Sequence, residues 1–300
     1  MLKNNNHRIV CYGEVLWDIL PQGAEPGGAP MNVAYHLHKQ GKNPALITRI
    51  GVDEEGKKLL NIFKDFGVNT DYFQLDYDQP TGKVFAEPNE HNEVVYDIVK
   101  PVAWDFISYT EELSSITKDA SYFIFGSLAA RSKTSRETLF SLLEDANTKV
   151  LDINLRAPHY DKKIVRSLLT KADFVKMNLA ELELITGWFS KYSSMEDRMK
   201  NIMEQFKIEN LVVTMGGDGA MICMDGKMHR HNGYKVDVVD TVGSGDAFLA
   251  GLLSKLLEKA TLEEALDFAS RLGAFIATQR GACPAYETVA INKFAGIKTY

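Results

Sequence analysis

The chain alternates short apolar runs with longer segments in which apolar residues recur every three to four positions. Apolar runs occur at 9–12, 45–50, 122–125, 150–153, 174–177 and 211–214, each followed by polar residues or glycine. Segments with helical periodicity lie at 32–40, 132–146, 162–169, 195–206 and 262–279. Strands that alternate with amphipathic helices indicate βαβ units. The pattern therefore predicts an α/β fold with a doubly wound, mostly parallel sheet flanked by helices, and ligands bound beyond the carboxyl ends of its strands.

One region, residues 70–106, departs from this alternation. It contains β-prone segments at 82–87 and 93–99, with residues 89–92 as the expected hairpin turn. Because no helix is expected between these strands, we predict that they pair antiparallel and apart from the main sheet. Together with residues 13–23 they would form a small β lid, whereas residues 1–12, 24–69 and 107–300 would form the α/β core. The alternating apolar residues of the lid need a cover, which also makes the lid a candidate interface for a homodimer; they include Val84, Val94, Tyr96 and Ile98.

Composition narrows the class of protein. The chain has 300 residues, of which 45 % are apolar, enough for one large domain with an appendage. Its net charge of −6 argues against general binding of nucleic acids or anionic membranes. The three cysteines lie far apart, which argues against a disulfide framework. The apolar stretch 9–20 is interrupted by Glu14 and Asp18, so neither a signal peptide nor a membrane span is expected, and we predict a cytoplasmic protein.

The most informative motif covers residues 240–251. Gly243, Ser244 and Gly245 lead into a run of small and apolar residues that predicts a helix. Such a turn leaves backbone N–H groups at a helix N-terminus, where they can bind an anion. Asp246 lies in the first turn of the same helix, where the helix dipole should lower its pKa. A carboxylate inside an anion site suits a reaction in which a phosphoryl group meets a hydroxyl.

Two further glycine-rich turns are compatible with more than one role. Gly28 precedes the first long helix, and Asn32 is expected to be its N-cap. These residues could contact the hydroxyl groups of a ligand, or they could simply form a loop before a capped helix. Another turn follows an apolar strand and fits either a nucleotide loop or a strand-to-strand hairpin; it contains Thr214, Gly216, Gly217 and Gly219.

Charged residues near two other strand ends also leave alternatives open. Asn178 and Glu181 have the spacing of a helix cap, and also that of a pair facing phosphate and hydrated Mg²⁺. Arg156 suits a hydroxyl-rich or anionic ligand, and a surface salt bridge is the alternative explanation. No P-loop, dinucleotide fingerprint or nucleophile elbow occurs in the sequence. The turn at 243–246 is therefore the strongest candidate for a phosphate site.

Taken together, the motifs resemble the ribokinase-like family of carbohydrate kinases, which includes bacterial fructokinases. The resemblance runs in order over essentially the whole chain, through residues 13–18, 27–32, 152–156, 178–181, 214–219 and 240–251 to Gly281 and Ala282. It implies an ATP-dependent sugar kinase with Mg²⁺, and with K⁺ as a further candidate ion.

The resemblance also implies residue roles. Asp246 resembles the general base for the sugar hydroxyl, and Gly243, Ser244 and Gly245 resemble its anion hole. Sugar-contacting positions correspond to Asp18, Gly28, Asn32 and Arg156. Nucleotide-binding positions correspond to Asn178, Thr214, Gly216, Gly217 and Gly219, and Glu181 would bind Mg²⁺ through water. A K⁺ site, formed mainly by backbone carbonyls, would correspond to Asp240, Val242, Ile276, Gln279, Gly281 and Ala285.

Within this family, the segments at 13–20, 129–132 and 152–158 favour a ketose, phosphorylated on its terminal primary hydroxyl, with fructose giving fructose 6-phosphate. Residues 27–32 depart from the sequence usual in ribokinases, which also favours fructose. A 2-keto-3-deoxygluconate kinase, a ribokinase and a nucleoside kinase remain alternatives. A non-catalytic sugar-binding regulator is an alternative of a different class, but it would predict loss of Asp246 or of the glycines before it.

Overall fold

The computed structural model describes residues 8–20, 23–88, 94–189, 191 and 194–294. Its strands are β1 (Ile9–Tyr12), β2 (Leu16–Leu20), β3 (Gly23–Gly27), β4 (Pro44–Gly51), β5 (Phe73–Asp76), β6 (Gly82–Pro88), β7 (Val94–Ile98), β8 (Tyr122–Gly126), β9 (Thr148–Asp152), β10 (Phe174–Asn178), β11 (Asn210–Thr214), β12 (Ala220–Met224) and β13 (Lys227–His231). Its α-helices are α1 (Ala29–Lys39), α2 (Glu54–Asp65), α3 (Glu111–Asp119), α4 (Lys133–Asp145), α5 (Lys162–Lys171), α6 (Leu179–Gly187), α7 (Met195–Phe206), α8 (Ser244–Leu257), α9 (Leu262–Ala277) and α10 (Thr288–Lys293).

Nine of these strands form one large sheet, in the order β13-β12-β11-β10-β9-β8-β1-β4-β5. Its pairs are parallel from β11 to β5, and antiparallel only for β11 with β12 and β12 with β13. Helices cover both faces. The prediction of a doubly wound, mostly parallel sheet is therefore confirmed, and the carboxyl ends of its central strands lie along one edge.

Alternation along the strands divides the core into two layers, because successive side chains of a strand point to opposite faces. Val10 and Tyr12 of β1 pack in the layer that receives α3 to α7. Ile9 and Cys11 pack in the other, with α1, α2, α8 and α9. Among the helices that the structure describes, none combines the length and the apolar character needed to span a membrane.

The four remaining strands form the small sheet, in the order β3-β2-β6-β7. A separate small sheet was predicted, and β6 and β7 are antiparallel as expected, while β2 pairs parallel with β6. Two of the predicted bounds were wrong. Residues 24–27, assigned to the core, belong to β3 of the small sheet because the chain reverses directly after β2. Residues 73–76, assigned to the lid, form β5 of the large sheet because α2 makes a crossover between parallel strands β4 and β5.

A buried cluster fastens the small sheet to the core. The guanidinium of Arg131 makes two hydrogen bonds of 2.8 Å to the carboxylate of Asp105 and also donates to the carbonyls of Ile98 and Val99. It lies 3.9 Å from the ring centroid of Trp104. The expected turn at 89–92 and the side chains of Val94 and Tyr96 lie outside the described residues, whereas Val84 and Ile98 pack within the chain's own core. These two therefore need no partner chain to cover them.

Candidate active site

The N-terminus of α8 is shaped to bind an anion. Its N-cap residue Gly243 has φ +74° and no side chain caps the helix. A Cβ atom on Gly243 would lie 2.6 Å from that of Ala282, so sterics also require glycine here. Ser244 N–H donates to the Thr241 carbonyl, and the first intrahelical bond comes from Ala247. The N–H groups of the intervening residues, Gly245 and Asp246, are therefore available at the positive end of the helix dipole.

Asp246 is buried beside these N–H groups and is held by α1. Its Oδ2 accepts a 2.8 Å hydrogen bond from Nδ2 of Asn32. The prediction that Asn32 caps α1 was wrong, because the helix begins at Ala29, with Gly28 as its N-cap and a proline in its first turn. The earlier start places Asn32 inside the helix, where its side chain can reach Asp246.

The pKa of Asp246 is raised to about 6. Burial is the main cause and Asp152 adds to it, while Lys176, the Asn32 hydrogen bond and Arg156 act in the opposite direction. The expectation of a lowered pKa was therefore wrong, because burial of the carboxyl group raises it. A carboxyl group with this pKa is ionised at neutral pH and can still accept a proton from a reacting hydroxyl.

Two more carboxyl groups belong to this region: Glu14, which is buried, and Asp18, which is half-buried. Burial raises the pKa of Glu14 to about 7, with Asp246 adding to the effect, and raises that of Asp18 to about 6. Oε2 of Glu14 has no hydrogen-bond partner among the described residues. The exposed guanidinium of Arg156 lowers the pKa of all three carboxyl groups, so they face one shared region. The predicted Asp18, Asn32 and Arg156 are brought together, whereas Glu14 was missed as a site residue, although its charge within an apolar run was a signal.

Two glycines allow the backbone to pack closely against Glu14 and Asp18. Gly28 has φ +119°, and a Cβ atom there would lie 2.4 Å from the carbonyl oxygen of Glu14. A Cβ atom on Gly27 would lie 2.1 Å from Oδ2 of Asp18. The glycines therefore let the junction between β3 and α1 pass directly over the acidic residues.

A buried lysine that was not predicted from the sequence places a positive charge near Asp246. Lys176 of β10 lies opposite Asp152 of β9 in the sheet register, and its Nζ is 3.0 and 2.8 Å from the two carboxylate oxygens. Burial favours the neutral amine, but Asp152, Asp246 and Glu181 outweigh it and raise the pKa of Lys176. The side chain therefore remains an ammonium.

A cavity connects the glycine-rich turn at 214–219 with the anion-binding turn at the start of α8. It is lined by Thr214, Gly216, Gly217, Gly219, Gly233, Tyr234, Lys235, Val236, Val238, Thr241, Ser244, Gly245, Phe248, Ser270, Gly273, Ala274 and Ala277. The structure thus brings the four predicted nucleotide-loop residues of the 214–219 turn to the anion site. The hairpin interpretation of that turn also holds, because it joins antiparallel β11 and β12. The contributions of residues 233–238 and of α9 were missed; those of α9 come from small side chains that form no motif.

Asn178 and Glu181 form a reciprocal cap at the start of α6. Asn178 Oδ1 accepts from Glu181 N–H, and Glu181 Oε2 accepts from Asn178 N–H. The other oxygen, Oε1, accepts from Leu155 N–H at 2.8 Å. The capping interpretation is therefore confirmed. Each carboxylate oxygen keeps a further lone pair, so acceptance of a hydrogen bond from a metal-bound water stays a prediction.

The predicted K⁺ positions are partly brought together. The carboxylate of Asp240 accepts from Val242 N–H and Gly281 N–H, which draws these two segments against each other. Ile276 and Gln279 lie at the end of α9, where the Ile276 carbonyl accepts from Gln279. Ala285 is exposed on the segment that follows Gly281. No group of three or more His, Cys, Asp or Glu is arranged to bind a metal in the described part of the chain, so a cation there would depend on backbone carbonyls.

Comparison with known proteins identifies the family of the chain. Residues 6–289 match the family model of pfkB family carbohydrate kinases. The chain is 31 % identical to probable fructokinase-6, chloroplastic, of Arabidopsis thaliana, over 93 % of this chain and 80 % of that protein. It is 30 % identical to a fructokinase of Escherichia coli, over 93 % and 95 %.

Comparison with solved structures gives the same family assignment. A crystal structure of fructokinase from Vibrio cholerae O395, in the form with bound fructose, ADP and calcium, superposes with a TM-score of 0.83 at 27 % identity and covers 97 % of this chain and 99 % of that one. The family match spans nearly the whole described fold. The chain therefore belongs to the pfkB family of carbohydrate kinases, enzymes that transfer a phosphoryl group to a sugar.

Proposed function

We propose that this chain transfers the γ-phosphoryl group of ATP to the terminal primary hydroxyl of fructose, giving fructose 6-phosphate. The observation that carries the proposal is the position of Asp246, a buried carboxylate at an uncapped helix N-terminus that also lines the cavity through Ser244 and Gly245. A base and an anion site thus meet at one point, as phosphoryl transfer to an alcohol requires.

In this mechanism, Asn32 holds Asp246 so that its free oxygen faces the sugar hydroxyl. The carboxylate accepts the hydroxyl proton while the N–H groups of Gly245 and Asp246 bind the transferred phosphoryl oxygens. Thr214 and the glycines of the 214–219 turn would hold the remaining phosphates and the nucleoside in the cavity.

Charge around the sugar region favours a neutral sugar over an acidic one. Glu14 and Asp246 are buried there and Asp18 is half-buried, with Arg156 as the facing cation. Carboxyl groups can accept hydrogen bonds from sugar hydroxyls, whereas the carboxylate of 2-keto-3-deoxygluconate would meet like charges. The names of the relatives also support fructose, because several of them are called fructokinases.

The proposed metal requirements rest on the donor groups present. Glu181 would receive a hydrogen bond from a water molecule bound to Mg²⁺, which would supply positive charge to the ATP phosphates. K⁺ would bind near Asp240, Val242 and Gly281, where an acidic side chain draws two backbone segments together. Cytoplasmic location and a homodimer formed through the small sheet stay predictions.

An ADP-release assay with separate addition of fructose, ribose, 2-keto-3-deoxygluconate and adenosine tests the substrate. We expect the highest kcat/KM for fructose, no activity after Mg²⁺ removal by EDTA, and higher activity with K⁺ than with tetramethylammonium. A higher kcat/KM for any other acceptor would refute the fructose assignment while leaving the kinase assignment in place.

Replacement of the base tests the mechanism. Asp246→Asn keeps the size and the hydrogen bond to α1 but cannot take up the proton, so kcat should fall by roughly 10²–10⁴-fold. Fructose affinity, measured by calorimetry, should stay within about threefold, because the amide retains most contacts. Asp65→Asn, on the exposed face of α2, is the matched control. Near-normal turnover of a folded Asp246→Asn protein would rule out this base.

A further inference from the structure

The ammonium of Lys176 lies beside the anion-binding turn. A Cβ atom on Gly245 would be 3.0 Å from its Nζ, so the absence of a side chain at 245 leaves room for the ammonium. Gly245 has no positive φ that would itself require glycine. An alanine at this position would press against the ammonium, so glycine gives Lys176 its full approach to the turn.

Lys176 has capacity for a further partner. An ammonium carries three donors, and its hydrogen bonds within the described residues go to the two oxygens of Asp152 alone. This ion pair also fixes the side chain, whose exposed fraction is only 9 %. The group is thus an immobilised cation with a donor to spare.

A cation next to a helix N-terminus is unfavourable on its own, because both are positive. The arrangement becomes favourable when an anion with more than one charge enters between them. The γ-phosphoryl group is such an anion, and negative charge is spread over its three equatorial oxygens in the transition state.

From this geometry, and on the basis of the proposed kinase function, we infer that Lys176 is a further catalytic residue whose ammonium contacts the phosphoryl group during transfer. The bond between the sugar oxygen and the γ-phosphorus forms while the bond to the β–γ bridging oxygen breaks, and ADP leaves with that electron pair. The hydroxyl proton goes to Asp246, and Lys176 stays protonated throughout as an electrostatic donor.

Lys176→Met tests the inference because it removes the charge and keeps the length. We expect kcat to fall by about 10²–10³-fold, as for loss of one preorganised donor, with the KM for fructose within about threefold. Calorimetry with ADP and fluoroaluminate, a mimic of the transferring group, should show an affinity loss of at least about tenfold, whereas the affinity for ADP alone should stay within about threefold. Lys176→Arg should recover part of both losses.

The double variant Asp152→Leu, Lys176→Met covers the case in which the single variant does not fold, because it removes both members of the buried pair. A kcat within about threefold of wild type in either variant would overturn the inference. Equal affinity losses for ADP and for ADP with fluoroaluminate would also overturn it, since a structural role affects both. The titrations need no particular sugar, so they separate failure of this inference from failure of the fructose assignment.

Discussion

At the scale of single residues, the buried carboxyl groups of the site carry a cost in stability. The pKa of Glu14 is raised to about 7 in the folded chain, from an ordinary value of 4.5. The folded state therefore holds the proton more tightly than the unfolded state does. This contribution to stability is fully present below about pH 4.5 and is lost as the pH rises through about 7.

Glu14→Gln should remove this dependence, because Gln cannot ionise and can still accept the hydrogen bonds that one carboxyl oxygen accepts. The gain in unfolding free energy over wild type should be about 2 kcal/mol larger at pH 8 than at pH 5.5. Urea unfolding at the two pH values measures this difference in unfolding free energy. The exposed Glu263→Gln on α9 is the control. A gain that does not change with pH would show that burial does not raise this pKa.

The same residues show what the sequence could reveal about the site. Asp246 and Gly243 could be assigned because a carboxylate and a flexible backbone in one turn have few structural explanations. Lys176 could not, since it lies in a short apolar segment and acquires its role only through neighbours far away in sequence. Glu14 gave one signal, its charge within an apolar run, but this signal does not indicate its partners. Lys176 depends on Asp152, twenty-four positions earlier, which only the sheet register brings opposite.

At the scale of elements, the turn between β11 and β12 contains two glycines of one motif that differ in whether a side chain would fit. A Cβ atom on Gly219 would lie 1.9 Å from the carbonyl oxygen of His231, and its φ is +86°. Gly217 has no atom within 4 Å of its Cβ position and no positive φ. Both line the cavity.

Gly219→Ala should therefore displace the strand that leads into residues 233–238, raising the KM for ATP by at least about tenfold and lowering the free energy of unfolding by about 1–3 kcal/mol. Gly217→Ala is the matched control in the same loop. It should change the free energy of unfolding by no more than about 0.5 kcal/mol, and the KM for ATP by no more than about twofold. ATP titration and urea unfolding measure the two effects. Equal behaviour of the two variants would contradict a steric role for Gly219.

Element boundaries were less predictable than element types. The early start of α1 at Ala29 escaped prediction because a capping asparagine and an asparagine within the first turn look alike in sequence. Helix α2 was not identified, so β5 was assigned to the wrong sheet. The second error was avoidable, because Asp53 caps α2 and Leu59 and Phe63 recur on its buried face at helical spacing.

At the scale of the whole molecule, the small sheet is anchored to the core at the end of β7. Arg131 ties the end of β7 to the segment after β8, and Val84 and Ile98 pair across the hairpin inside the core. On this basis we predict that the hairpin excludes water from the sugar region while the anchored end stays in place.

The prediction can be tested by replacing residues 86–96 with Asn-Gly. Phe85 and Asp97 are partners in the antiparallel register, so a two-residue turn can join them, and the pairing of β2 with β6 is retained. With less of the sugar region covered, water can compete with the hydroxyl for the phosphoryl group. The ratio of ATP hydrolysis to fructose phosphorylation should rise by at least about tenfold, equivalent to about 1.4 kcal/mol between the two barriers. Arg131, untouched by the replacement, should keep the unfolding midpoint close to that of wild type, so an unchanged ratio in a folded variant would mean that the hairpin does not act as a lid.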